Sequence, residues 1–166
     1  MNNNVPGAQD NASQDPFSEF YHKYAPSVYR VCYSFVRNEA DALDLMQDTF
    51  MKYIEAADKP ADSRHEIAWL VTTAGNLCRN HLRSFKVSRC DELKETDIVR
   101  TYDNTAFELL EAVLRLPDKY KTAVFLYYYE GFDSNEIARL TGVRPSSVRS
   151  CLKRARAKLK GLLEDE

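Results

Sequence analysis

Asp133-Ser-Asn-Glu-Ile-Ala-Arg-Leu-Thr-Gly-Val-Arg-Pro-Ser-Ser-Val-Arg-Ser-Cys-Leu-Lys-Arg-Ala-Arg-Ala-Lys-Leu-Lys160 reads as a short helix, a turn at Thr141-Gly142-Val143 and a long second helix. That order is a helix-turn-helix. Asp133 can accept from the free amides of the first turn, and Glu136 can reach back to complete a capping box. Gly142 falls just past the first helix, where a left-handed residue is least costly. Pro145 suits the first turn of the second helix, because its missing N–H would be unpaired there anyway. Val148, Cys151, Leu152, Ala155, Leu159 and Leu162 recur at three- and four-residue steps and predict one apolar stripe. Arg149, Lys153, Arg156 and Lys160 repeat those steps on another face. From Arg139 to Lys160 there are eight Lys or Arg residues and no acid, in a chain whose net charge is −2. Such a local basic block points to a polyanion as partner.

Working outward, Pro117 starts a helix carrying Tyr120, Ala123, Val124 and Tyr127, which Gly131 ends. Phe107, Leu110, Val113 and Leu114 mark a further helical stretch. Nearer the N-terminus three amphipathic segments stand out. The first carries Phe17, Phe20, Tyr21, Tyr24, Val28, Val31, Cys32 and Phe35, with Pro26 as a break or restart. The second carries Leu43, Met46, Phe50, Tyr53 and Ile54. The third carries Ile67, Leu70, Val71, Ala74, Leu77, Cys78, Leu82 and Phe85. Each apolar stripe needs a partner, so three or four helices closing on one another are expected.

The fold class predicted is all-α: two small helical domains joined by a flexible acidic linker. The expected boundaries are a disordered tail at 1–15, a first domain at 16–88, a linker at 89–106 and a second domain at 107–163. The linker is read from fading periodicity and from Asp91, Glu92, Glu95, Asp97 and Asp103. Charge is also sorted within the first domain. Seven acids and two lysines lie between Glu39 and Asp62, whereas four basic residues and no acid lie between Asn76 and Arg89. Asn76, Arg79, Asn80 and Arg83 fall away from the third stripe, where Asn and Arg can bond the bases and phosphates of a separated strand.

Several function classes lack support. The polar N-terminal stretch reads as no secretory signal, and no apolar run approaches the ~20 residues of a membrane helix. Cys32, Cys78, Cys90 and Cys151 make no Cys-x-x-Cys motif. Cys32, Cys78 and Cys151 read as core residues in a reducing cytoplasm, whereas Cys90 lies in a polar stretch open to solvent. His22, His65 and His81 show no ligand spacing. No glycine-rich phosphate loop or nucleophile constellation is present. The expectation is a cytoplasmic protein that is not an enzyme, with no cofactor, metal or small-molecule substrate.

In this order the segments resemble a small bacterial RNA polymerase sigma factor of the sigma-70 family, extracytoplasmic-function (ECF) group. Asp41-Ala-Leu-Asp-Leu-Met-Gln-Asp-Thr-Phe50 resembles the family's polymerase-binding helix. Trp69-Leu70 with Asn76-Leu-Cys-Arg-Asn-His-Leu-Arg83 resembles the minus-ten reader of region 2. Leu116-Pro117, Glu130-Gly131-Phe132, Glu136-Ile-Ala138, Val148-Arg-Ser150 and Arg154-Ala-Arg156 resemble the minus-thirty-five reader of region 4. The resemblance implies that Asp44, Leu45, Gln47, Asp48 and Phe50 form the site for the clamp helices of the largest polymerase subunit, with Leu45 and Phe50 mainly packing. It implies that Asn76, Arg79, Asn80 and Arg83, with the loop from Asp62 to His65, hold minus-ten bases, and that Trp69 is a core residue. Ser147, Arg149, Ser150, Lys153, Arg154 and Arg156 would serve the minus-thirty-five element, Arg156 through phosphate. Implied partners are core polymerase, promoter DNA and an anti-sigma factor. Arg144 and Cys151 depart from the family pattern, which weakens the expected cap of the recognition helix and alters base preference there. Two other readings fit the basic helix-turn-helix: a regulator that binds promoter DNA without acting as a polymerase subunit, and a helical adaptor for acidic proteins.

Overall fold

The computed structural model describes residues 15–86 and 112–164. The expected tail, the linker at 89–106, Phe107, Leu110 and Cys90 lie outside the described residues, apart from Asp15. Helix α1 runs Pro16–Val36, α2 Glu39–Glu55 and α3 Ser63–Lys86. Residues 112–115 are helical. Helix α4 runs Asp118–Val124 and continues as a π-helical segment, Phe125–Tyr129. Helices α5, Ser134–Thr141, and α6, Pro145–Glu164, complete the chain. No strand occurs among the described residues.

Local chemistry sets the helix ends. The Asp15 carboxylate accepts from the Phe17 amide at 3.4 Å and Pro16 opens α1. Arg37, left-handed at φ 53°, ends α1, and its N–H bonds Tyr33 O at 2.9 Å. Asn38 caps α2 by accepting from the Asp41 amide at 3.0 Å. Asp62 accepts from the backbone N–H of His65 at 2.9 Å, just ahead of α3. Asp133 accepts from the amides of Asn135 and Glu136, and Glu136 accepts from the Asp133 amide, so the capping box is complete. Gly142 follows at φ 70°.

The first three helices bury Val28, Val31, Cys32, Ala42, Met46, Phe50, Leu70, Val71, Ala74 and Cys78 against one another. Beside that core, Glu66 joins all three. One carboxylate oxygen accepts from Tyr24 on α1 at 2.7 Å, and the other accepts from Tyr53 on α2 at 3.1 Å. Burial, and then Glu66, push the Tyr53 phenol up to about 12, so it stays a donor. Phe20 stacks on Tyr53 at 4.4 Å, and Trp69 meets Tyr53 edge-on at 5.6 Å. Trp69 is half-buried against the core. In the second group, Val113, Leu116, Val124, Leu126, Phe132, Ile137, Val148, Leu152 and Ala155 close on one another.

Three expectations need correction. Pro26 neither breaks nor restarts α1, which runs through it. Proline removes one amide donor to the carbonyl four residues back, at His22, and both residues face solvent, where water can serve that carbonyl. Leu43 and Ile54 are 38% and 45% exposed and do not belong to the buried stripe of α2. That stripe is Ala42, Leu45, Met46, Thr49, Phe50 and Tyr53, in which the small Ala42 and Thr49 allow close approach. Cys151 is only half-buried, unlike Cys32 and Cys78, and its Sγ reaches Lys119 O at 3.7 Å.

The two helical groups touch along a seam. Gly75 on α3 faces Thr122 on α4 so closely that a Cβ at 75 would overlap Thr122 Oγ1. Lys121 is only 2% exposed; its Nζ donates to Ser34 O near the C-terminal end of α1, and Asp118 pairs with it at 3.2 Å. The last carbonyls of a helix lack intrahelical donors and carry partial negative charge, which a cation satisfies. Burial nevertheless pulls the Lys121 ammonium below its usual range, with Asp118 opposing. Arg64, just inside α3, makes three hydrogen bonds to the Glu136 carboxylate, at 3.0, 3.1 and 3.3 Å. It also donates to Gly131 O and lies 4.4 Å from the centre of the Phe132 ring.

Pro26→Ala should raise stability by about 1–3 kcal/mol, since it restores a helical bond at an exposed site. Denaturant unfolding checks this; an unchanged or lower midpoint contradicts it. The caps predict a second outcome. Backbone amides hold Asp133 below 3.8, and Arg64 followed by the Asp133 amide holds Glu136 below 4.5. Depressed carboxyls stabilise the fold above their ordinary values, and that contribution is lost as pH falls through the lower, folded-state values. Carboxyl NMR titration should place both midpoints below those ordinary values, with α5 amide shifts following. Midpoints at or above them would exclude the capping box.

Candidate polymerase-docking and nucleic-acid interfaces

Helix α2 turns one face inward and another outward. Asp44, Gln47 and Asp48 are exposed on the outer face. Leu45 and Phe50 are buried, 5% and 3% exposed, so they hold the helix in place and offer no contact surface. Leu43, Met51 and Ile54 lie outward with the acids; Met51 is 52% exposed. Leu43, Gln47, Met51 and Ile54 follow helical spacing, and Asp44 and Asp48 stand one residue round from that row, so acids and large apolar groups adjoin on the exposed side. Sequence reasoning missed Met51 altogether and assigned Leu43 and Ile54 to the core. The signal it needed was the alternative stripe through Ala42 and Thr49, whose small residues mark the buried side.

On α3, Asn76, Asn80 and Arg83 are exposed and Arg79 is half-buried. Arg79 donates to Asn76 Oδ1 at 2.5 Å. Burial, then the charge of Arg83, lower the Arg79 pKa from its ordinary value, while Asp118 raises it. The four residues are therefore not equally free. Asn80 and Arg83 face solvent, whereas Asn76 and Arg79 line a cavity of ≈ 320 Å³ with Thr122, Ser147 and Cys151 of the other group. Arg64 and His65, in the first turn of α3, are also engaged. His65 bonds Asp62 at 2.9 Å and Arg64 pairs with Glu136.

Helix α6 buries Val148, Leu152, Ala155 and Leu159. Its other side exposes Ser147, Arg149, Ser150, Lys153, Arg154 and Arg156, with Lys158 and Lys160 beyond them. Arg144 O takes the amides of Ser147 and Val148 at 2.9 and 3.1 Å, the first backbone bonds of α6. Ser146, Ser147, Ser150 and Arg154 line a second cavity of ≈ 430 Å³ with Lys119, Tyr120 and Cys151. Burial pushes the Cys151 thiol up, against the charges of Arg154 and Lys119, so it stays neutral. A basic, serine-flanked helix face of this kind can meet both phosphates and base edges. Among the described residues no group of His, Cys, Asp or Glu could hold a metal ion, and no helix is long and apolar enough to cross a membrane.

Comparison with known proteins agrees with these two halves. The model of Sigma-70 region 2 matches residues 20–86, and that of Sigma-70, region 4 matches residues 106–159. The ECF RNA polymerase sigma factor BldN of Streptomyces coelicolor is 30% identical over 92% of this chain; the chain spans 62% of that relative's length. The RNA polymerase sigma factor CarQ of Myxococcus xanthus is 31% identical over 158 residues, 91% of each protein. In fold, the chain is similar to the sigma factor RpoE of Bartonella quintana, solved in complex with the anti-sigma factor NepR. That likeness has a TM-score of 0.68 at 22% identity and covers 89% of this chain and 96% of RpoE. With both regions matched and a relative 31% identical over 91% of each protein, the chain belongs to the sigma-70 family of RNA polymerase sigma factors, in the ECF group.

Proposed function

We propose that this chain docks on core RNA polymerase through the outer strip of α2 and brings two DNA-reading faces to a promoter. The observation that carries the reading is the pairing of an exposed acidic and apolar strip on α2 with an uncovered basic face on α6. Asp44, Gln47 and Asp48 would orient docking on the clamp helices of the largest subunit by charge complementarity. Leu43, Met51 and Ile54 would supply the apolar area that is desolvated on contact. Leu45 and Phe50 would act from beneath, by holding α2 at its angle.

Asn76, Arg79, Asn80 and Arg83 would bind the separated minus-ten strand. Ser147, Arg149, Ser150, Lys153 and Arg154 would enter the major groove of the minus-thirty-five element, and Arg156 would grip phosphate. Regions 16–88 and 107–163 would serve as separate working units tied by 89–106. The chain is proposed to work in the cytoplasm, as a regulatory subunit with no catalysis of its own. An anti-sigma factor is a further proposed partner, by analogy with RpoE and NepR. A promoter-binding regulator that never joins polymerase gives the region 2 half no role, and that half is matched by the family model.

The test is to add purified protein to core polymerase on promoter fragments found by mapping transcript starts after its overproduction. Promoter-dependent initiation is expected; its absence on every such fragment refutes the reading. Asp44→Arg with Asp48→Arg should weaken core binding by about tenfold or more while helix content is kept, as reversing charges in an oriented contact does. Unchanged affinity would remove α2 as the docking site. Arg149→Ala should cost about 1–3 kcal/mol of discrimination at one base pair of the minus-thirty-five element. If altering that element affects wild type and variant alike, Arg149 does not read it.

A further inference from the structure

Among the described residues two buried side-chain polar atoms lack a hydrogen-bond partner, Thr72 Oγ1 and Thr122 Oγ1. Thr72 on α3 and Thr122 on α4 line the same cavity, of ≈ 320 Å³. Thr122 is only 6% exposed. Buried polar groups are nearly always paired, so two orphans on one cavity point to a common cause.

The lining is sorted by chemistry. Ile137 and Val148 are buried, and with Ala123 and Val143 they supply its apolar part. Thr72, Asn76 and Arg79 fall at helical spacing on one side of α3. Lys119 on α4 and Ser147 on α6 add to the polar part, and no acid lines the cavity. Arg79 donates to Asn76 Oδ1, which leaves the Asn76 amide hydrogens for another acceptor. Asp118 acts on Arg79 from outside the lining, but its carboxylate pairs with Lys121 at 3.2 Å. Hydroxyls, an amide and two cations therefore offer donors around one space. A guanidinium half withdrawn from water attracts an oxyanion more strongly than an exposed one does. Water alone would pair the hydroxyls but leave the cations and the apolar lining unmatched.

Size limits the occupant. At ~30 Å³ per water the space holds roughly ten waters. That is the lower end of ligand pockets, which run from about 300 to 1,000 Å³. A single aromatic ring carrying one acid group has this bulk.

We propose that the cavity binds a small ring-bearing oxyanion. Its carboxylate or phosphate is held by Arg79, Asn76 and Lys119, and its ring lies against Ile137, Val148 and Ala123. The hydroxyls of Thr72 and Thr122 are further donors. The site shares Asn76, Arg79 and Ser147 with the faces proposed to read DNA, yet it rests on the cavity and not on those roles.

Isothermal titration calorimetry of the full chain, without DNA or polymerase, tests the site with benzoate and phenyl phosphate as probes. Saturable one-to-one binding of at least one is expected, and the tighter of the two identifies the acid group. Benzyl alcohol keeps the ring and lacks the charge, and inorganic phosphate keeps the charge and lacks the ring; each should bind about tenfold or more weakly. Thr122→Val keeps the shape and removes a hydroxyl. It should weaken probe binding about tenfold while the melting temperature holds or rises, because an unpaired buried polar group is lost. Ala123→Leu fills the space and should abolish binding with helix content kept. Failure of both probes to bind reveals a cavity that serves only water and overturns the proposal. Benzyl alcohol binding as well as the acids overturns the anion. Inorganic phosphate binding as well as phenyl phosphate, or affinity untouched by both substitutions, moves the anion to the open basic surface and overturns the site.

Discussion

The Glu66 carboxylate is the point on which the geometry of the N-terminal half turns. It takes one phenol from α1 and another from α2 while standing in the first turn of α3. The positive end of a helix favours an anion there, and the Lys23 ammonium on α1 interacts with the same carboxylate. The aromatic rings of Phe20, Tyr53 and Trp69 gather beside it. Two directional bonds to one carboxylate set the rotation of α3 about its axis relative to its neighbours, which apolar packing alone does loosely. Asn76 lies ten residues further on, ~15 Å along the helix. Its direction, and the outward turn of Asp44 and Asp48 on α2, both follow from that anchor.

Function then divides by exposure. On α2 the buried residues are silent supports and the exposed ones form a mixed acidic and apolar strip. On α6 the division is cleaner, with aliphatic residues beneath and cations above. Helix α3 differs from both, because part of its polar face is covered by the other half of the chain. Exposure and chemistry thus agree at two of the three faces, and at the third the disagreement is itself informative.

Much of this was legible in the sequence where local chemistry decides. Asp133, Glu136, Gly142 and Pro145 specify the helix-turn-helix by caps and turns that act within a few residues, and the structure realises each of them. The all-α class followed from periodicity. Residue phase on α2 was harder to read, because Leu43 and Ile54 look like core residues to a hydrophobicity pattern. Only the packed structure, in which Ala42 and Thr49 are fully buried, shows which side is inward. Pro26 misled because its cost depends on whether the orphaned carbonyl reaches water. The seam could not be read at all: Arg64 and Glu136 are 72 residues apart, and neither Gly75 nor Lys121 stands out in its own segment.

The π-helical segment at Phe125–Tyr129 bears on how such a chain can change over generations. There the Glu130 amide reaches back five residues to Phe125 O at 3.1 Å, and the Phe132 amide reaches six to Leu126 O. A wide turn of this kind accommodates one residue more than an α-helix does over the same rise. Loss of a single codon here would let the helix close into regular α geometry. Because the wide turn takes up its extra residue over the rise of an α turn, the segments on either side would keep nearly the same bearing after that loss. The tyrosine run is therefore a place where this chain can lose one residue while the helix-turn-helix keeps its aim and every side chain proposed to read DNA stays as it is.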